Sequence, residues 1–192
     1  MEVSAEIIKN AFKRHLEVHE KSLASLLPDV QRAAEILGEV AKTGHKLLVC
    51  GNGGSAADSQ HLVAEWVCKY KEERRALPAI ALTVNTSVLT AIGNDYGYEH
   101  VFSRQIEAFG VKGDALVAIT TSGTSKNILS AIDKARSLGL KIIALAGEGG
   151  VGLKKMVDVA ILVPSLETAR IQEMHELIYH SWCEYIDAVV TG

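Results

Sequence analysis

The chain has 192 residues, 48% of them hydrophobic and 22% charged, values of a globular protein that exclude disorder as its main state. Twenty Lys and Arg stand against 23 Asp and Glu, a net charge of −3, and aromatic residues make up only 5%, so the field expected of a general nucleic-acid binder is missing. Cys50, Cys68 and Cys183 are odd in number and share no metal-type spacing, which fits reduced packing thiols and a cytoplasmic location.

Glu2, Glu6, Lys9, Lys13 and Arg14 interrupt any apolar run at the start, so no export signal is expected there. Residues 1–44 are expected to form a helical extension packed on the domain. It reads as a pair of helices. Ile7, Ile8, Phe12, Leu16, Leu23, Leu26 and Leu27 supply the apolar side of the first, and Pro28 is expected to start the second. Val30, Ala33, Ala34, Leu37, Val40 and Ala41 then keep helical spacing until Gly44.

From Lys46 the pattern changes. Lys46–Cys50, Ala79–Val84, Ala115–Thr120, Lys141–Ala146 and Val159–Val163 are strand-length apolar runs without polar alternation, as expected of strands covered on both faces. Helical patterns lie between them at Ser55–Cys68, Thr86–Ile92, Tyr98–Phe109, Ser125–Leu138 and Leu153–Met156, and a last helix at Glu167–Val190 closes the chain. The stretch Ala76–Asn94 is free of charge over 19 residues, but Pro78, Asn85 and Gly93 among others make it a strand, a turn and a short helix rather than a membrane span. The expected fold is α/β: residues 45–192 form one doubly wound unit, a mainly five-stranded parallel sheet with helices on both faces.

In such a sheet ligands bind beyond the carboxyl ends of the strands. The first strand runs into Gly51-Asn52-Gly53-Gly54-Ser55 and a helix, where glycines let an anion approach the backbone and helix amides can donate to it. The third runs into Thr120-Thr121-Ser122-Gly123-Thr124-Ser125 and another helix. Either loop alone reads as a turn and an N-cap; two on one sheet point to a phosphate. Gly51-x-Gly53-x-x-Ala56 also fits a dinucleotide fingerprint, but the next strand ends in neutral residues and no Walker-type lysine loop occurs. A small phosphorylated metabolite is therefore the expected ligand, with the polar turn Gly93-Asn94-Asp95 able to reach sugar hydroxyls.

Titratable residues form a second constellation. His61 and Glu65 lie one helical turn apart, and Gln172, Glu176 and His180 follow one another at the same spacing. The spacing fits surface ion pairs. It also fits a ligand set for a divalent metal, with nitrogen and oxygen donors from His61, Glu65 and His180 and Gln172 as an unusual fourth. On a helical wheel His180 lies opposite the apolar stripe of Ile171, Met174, Ile178 and Trp182, so it serves a site only where that face meets another element. His15, His19, His45, His100 and His175 read as surface or packing residues.

Four segments, Cys-Gly-Asn-Gly-Gly-Ser at 50–55, Gly-Asn-Asp at 93–95, Thr-Thr-Ser-Gly-Thr-Ser at 120–125 and Arg-Ile-Gln-Glu-Met-His at 170–175, resemble the sugar-isomerase (SIS) domain family in the right order and over essentially the whole chain. The resemblance implies an aldose–ketose isomerase interconverting D-sedoheptulose 7-phosphate and D-glycero-D-manno-heptose 7-phosphate, the entry to heptose for bacterial surface polysaccharide such as lipopolysaccharide. It implies Glu65 and His180 as the acid/base pair, and zinc held by His61, Glu65, Gln172 and His180. It implies substrate contacts from Asn52, Gly53, Gly54, Ser55, Glu65, Asn94, Asp95, Thr120, Thr121, Ser122, Ser125 and Gln172. It further implies a homotetramer with active sites between subunits, and no nucleic-acid or membrane partner. Lys69 stands where the family commonly has arginine, Ala169 where it often has an acidic residue, and Thr120 and Thr124 where Ser and Asn are more usual. Other SIS proteins are non-catalytic modules that bind a sugar phosphate or a replication-initiator partner; the Glu65/His180 pair favours the enzyme. An isomerase of a different sugar phosphate is the other alternative.

Overall fold

The five apolar runs assemble into one sheet in a computed structural model that describes residues 5–191. The strands are β1 (Leu47–Gly51), β2 (Ala79–Ala81), β3 (Ala115–Ile119), β4 (Lys141–Gly147) and β5 (Val159–Val163), all parallel, in the order β2-β1-β3-β4-β5. The helices are α1 (Ala5–Lys42), α2 (Gly54–Val67), α3 (Thr86–Asp95), α4 (Ser103–Phe109), α5 (Lys126–Ser137) and α6 (Thr168–Thr191), with short 3₁₀ turns at Tyr98–His100 and Glu148–Lys155. Successive strand residues face opposite ways. Leu47, Val49, Val117, Ile119, Ile143 and Leu145 enter a core with α1, α2 and α6, whereas Leu48, Cys50, Leu116, Ala118, Ile142 and Ala144 enter a second core with α4 and α5. Both faces are buried, which is why the runs show no polar alternation.

β2 ends three residues before the sequence pattern does. Leu82 N–H still donates to Val49 C=O at 2.9 Å, but Asn85 then caps α3, its side-chain oxygen accepting from Val88 N–H at 3.0 Å, and this cap turns Thr83 and Val84 out of the sheet. At the other end of α3, Gly93, Asn94 and Asp95 form its last turn rather than a loop.

The expected helical pair is one helix of 38 residues with Pro28 inside it. An interior proline costs about 3 kcal/mol. Val18 and Leu26 before it and Ala33, Ala34, Leu37 and Val40 after it are all buried in the same core as α6, and Trp182 Nε1–H of α6 donates to Val30 C=O at 3.0 Å. A single fully buried leucine contributes roughly 1.5–3 kcal/mol, so packing on both sides of Pro28 outweighs its local cost. The remaining apolar side of α1 behaves otherwise: Ile7, Ile8, Phe12, Leu16, Leu23 and Leu27 stay exposed, Phe12 at 69%.

An ion pair between half-buried Lys46 and buried Asp114 ties the strand starts together opposite the loops. Asp114, 1% exposed, accepts from the amides of Lys46 (3.0 Å) and Val111 (2.9 Å) and pairs with Lys46 Nζ at 2.5 Å. Burial pushes its carboxyl up, but the Lys46 ammonium and the two amides outweigh that and hold it below the usual carboxylate range. The folded state therefore binds this proton less readily than the unfolded chain. The stabilisation is complete above about pH 4 and is lost as pH falls through the lower folded value. Asp114→Asn is expected to cost on the order of 3 kcal/mol in urea unfolding at pH 7, with the gap to wild type narrowing below pH ~4; equal stability at pH 7 would contradict this account. Among the described residues no helix is long and apolar enough to cross a membrane.

Candidate active site

The strand order reverses between β1 and β3, since β1 leads to β2 on one side while β3 lies on the other. That reversal opens a crevice at the carboxyl ends of these two strands. Gly51 and Ile119 are register partners, so Asn52 and Thr120 leave the sheet side by side and bring both polar loops to one place. Each loop feeds a helix with no acidic residue in its first turn and no side-chain cap, so the positive ends of α2 and α5 face the crevice uncompensated.

A cleft of about 300 Å3 results, lined by Asn52, Gly53, Gly54, Ser55, Ile119, Thr120, Thr121, Ser125, Thr168 and Gln172. Its walls are fixed by polar pairs. The side-chain amides of Asn52 and Asn127 donate to each other's oxygens at 2.9 and 2.8 Å, locking the first loop to α5. Thr120 Oγ1 accepts from Gly123 N–H at 3.2 Å across a turn in which Gly123 has φ 73°. Gln172 lies against Gly54 so closely that a Cβ there would stand 2.5 Å from its Nε2. Asn94, Asp95 and Ser122 are not in this wall. They are exposed, with Asn94 donating to Asp95 at 2.8 Å and Ser122 Oγ accepting from Thr124 N–H. A larger groove of about 740 Å3 lies between α4 and α5, but its charges are mixed, Glu99, Glu107 and Asp133 against Arg104, Lys126 and Lys134, and neither strand-end loop enters it.

The titratable groups gather beyond the cleft along α2 and α6, which run side by side. His61 Nε2 lies 3.3 Å from Glu65 Oε1 and 3.4 Å from His180 Nε2, and His61 Nδ1 lies 3.6 Å from Glu176 Oε1. Glu65 and His180, 115 residues apart in sequence, thus converge on one ring nitrogen. The face of α6 opposite its first apolar stripe meets α2 of the same chain, and Tyr70 stacks on the His180 ring at 5.4 Å between centroids. Gln172 sits at the cleft end of this row, about 6 Å before Glu176 and about 12 Å before His180 along the helix. His61, Glu176 and His180 bring ligand atoms within 4.8 Å of one another, and two imidazoles with a carboxylate are a nitrogen-and-oxygen set that suits zinc.

Three residues of this cluster escaped the sequence reading as site members: Asp58, Glu176 and Tyr179. Asp58 stands three residues before His61 and shares its face, and Glu176 completes the Gln172–His180 ladder; those spacings were the available signals. Burial first, then the Glu176 charge, pushes the Asp58 carboxyl up to about 6, against the pull of His61 and of the hydrogen bond from Tyr179. Tyr179 is fully buried, and that burial pushes its hydroxyl upward so that it keeps its proton. Its oxygen lies 3.0 Å from His61 Nδ1 and fixes the orientation of that ring. Lys69 lies outside the cluster, paired with Glu73 on the surface, and Ala169 is exposed. His175 is fully buried as packing, its imidazole pushed down to about 4 by burial.

The family model described as SIS domain matches residues 11–147. A protein of Campylobacter concisus named phosphoheptose isomerase is 47% identical over 189 residues, 97% of this chain and 100% of that protein. One of the same name from Helicobacter pylori is 51% identical over 181 residues, 94% of each chain. Among solved structures, a phosphoheptose isomerase from Neisseria gonorrhoeae superposes with a TM-score of 0.90 at 42% identity, covering 95% of this chain and 98% of that one.

Proposed function

We propose, because the chain belongs to the SIS domain family and within it to the phosphoheptose isomerases, that it interconverts D-sedoheptulose 7-phosphate and D-glycero-D-manno-heptose 7-phosphate in the supply of heptose for bacterial surface polysaccharide. The observation that carries the reading is the meeting of Glu65 and His180 on His61 Nε2, about two to three helical turns from the cleft at the strand ends. A phosphate held in the cleft by the amides of Gly53 and Gly54 and the hydroxyls of Ser55, Thr120, Thr121 and Ser125 would place a sugar chain along α2 and α6, with its reacting carbons beside the cluster.

Aldose–ketose isomerisation moves a proton between adjacent carbons and another between their oxygens, through an enediol. Glu65 takes the proton from carbon and returns it to the neighbouring carbon; His180 donates to and accepts from the oxygens, the roles exchanging with direction. Asn52 and Gln172 orient the chain between the two ends. Asn94, Asp95 and Ser122, outside this cleft, serve on its rim or at the cleft of a neighbouring subunit. The residues that would hold zinc are His61, Glu65, Gln172 and His180, with Glu176 a further carboxylate beside them. When bound, zinc polarises a carbonyl oxygen and offsets negative charge developing there.

A homotetramer completes the reading, supported by the exposed Ile7, Ile8, Phe12, Leu16, Leu23 and Leu27 on α1, a row too apolar to be left to water. The location is cytoplasmic, with a free phosphorylated metabolite as the ligand. One preparation tests the whole proposal. Assayed on heptose, hexose and pentose phosphates, it is expected to favour sedoheptulose 7-phosphate at least about tenfold in kcat/KM. It is expected to carry about one zinc per chain, to lose activity to chelator and regain it with zinc, and to sediment as a tetramer. Preference for a shorter sugar would replace the substrate, full activity of metal-free protein would remove zinc, a monomer would remove the tetramer, and no turnover of any sugar would overturn the enzyme.

A further inference from the structure

We propose that the buried Arg74–Asp187 ion pair is a positioning device that sets Glu65 in register with His180. This rests on the isomerase reading above. Arg74 and Asp187 are each only 2% exposed in their side chains, and Arg74 Nε donates to Asp187 Oδ1 at 2.7 Å. Nη1 donates to the carbonyl of Arg75 at 3.0 Å, and the fork also reaches the end of α2, Nη2 donating to the backbone carbonyl of Glu65 at 2.7 Å and Nη1 to that of Trp66 at 3.0 Å. The carbonyls of Glu65 and Trp66 belong to the last turn of α2, where intrahelical partners run out. The other oxygen of Asp187 accepts from the amides of Lys71 and Glu72 at 2.7 and 2.9 Å, which ties down the segment that carries Arg74.

Asp187 lies seven residues after His180, two turns along α6 and on the same face. One planar fork therefore joins the backbone of the proposed base to the helix of the proposed oxygen acid. Burying two charges is a poor route to stability alone, since an apolar pair of similar volume often does as well. A pair that also binds two helix-end carbonyls, that of Trp66 shared with Leu77 N–H, fixes geometry that an apolar pair would leave free, and a displacement of about 1 Å at a reacting group costs roughly a hundredfold in rate. Lysine cannot replace this arginine, because an ammonium that reaches Asp187 cannot also span both carbonyls.

The test compares Arg74→Lys and Asp187→Asn with Asp114→Asn, a buried carboxylate whose pair with Lys46 lies at the opposite ends of the strands. Both pin variants are expected to lose about tenfold to a hundredfold in kcat with KM within about twofold, because the cleft is untouched. Asp114→Asn, destabilised to a similar degree, is expected to keep wild-type kcat. The ring-nitrogen NMR signals of His61 and His180 are expected to shift in the pin variants and not in Asp114→Asn. Folded pin variants with wild-type kcat and unshifted signals would overturn the proposal, as would an equal kcat loss in Asp114→Asn. If Arg74→Lys does not fold, Asp187→Asn decides alone. If wild type turns over no sugar phosphate, the isomerase reading fails, and the NMR comparison alone then decides whether the pin sets the cluster.

Discussion

Glu65→Gln is expected to lower kcat by about 10²–10⁴-fold while KM stays within a few-fold of wild type. The substitution keeps the shape of the side chain beside His61 Nε2, 3.3 Å away, and removes its capacity to take a proton together with the negative charge it would offer a metal. Glutamine in this position leaves the cleft around Gly54 and Thr120 unchanged, so calorimetric titration with sedoheptulose 7-phosphate is expected to show near-normal affinity. Exchange of the substrate's carbon-bound hydrogen with solvent deuterium is expected to stop along with turnover, because in the proposed mechanism one carboxylate performs both. Retention of more than a tenth of wild-type turnover would assign the carbon proton to another group, and Glu176 and Asp58 stand nearest.

Gly51→Ala is expected to damage binding instead. A Cβ on Gly51 would lie 2.3 Å from the backbone oxygen of Ser55 and 2.8 Å from its Cβ. Backbone cannot swing aside as a long side chain can, so the first turn of α2 must move out from β1, at an overpacking cost of about 1–3 kcal/mol. The same movement pulls the amides of Gly53 and Gly54 away from Thr120 and Ser125. KM is expected to rise about tenfold or more, with inorganic phosphate losing its ability to compete in proportion. Steady-state kinetics with phosphate as inhibitor measure both, and an unchanged KM in a folded variant would show that the anion is held elsewhere.

The architecture was legible because fully covered parallel strands are short unbroken apolar runs, and Leu47–Gly51, Ala115–Ile119, Lys141–Gly147 and Val159–Val163 are of that kind. The cleft was legible because glycines and hydroxyls cluster where strands end, and the register of β1 with β3 brings those ends together. Pro28 misled because a local cost of one residue is visible in sequence, while packing of Val18 and Leu37 on a helix more than 130 residues away is not. His180 was hard to place for a related reason. A wheel shows one apolar stripe, but α6 is buried on two sides, and the second is lined by Tyr179, Cys183 and Asp187 facing α2 and its following segment. Arg74 carries no local signal at all, since its meaning lies in two carbonyls and a carboxylate 113 residues downstream.

The side-by-side run of α2 and α6 has a consequence for which sugars react and which merely occupy. With the monoester beside Gly54, as proposed, the row Gln172, Glu176, His180 would work as a ruler graduated in helical turns, each about 5.4 Å. A sugar shortened by two carbons keeps its anchor, yet its carbonyl stops short of the far graduation. Pentose phosphates are then expected to act as competitive inhibitors, and selectivity would arise from reach without any residue having to recognise the missing hydroxyls.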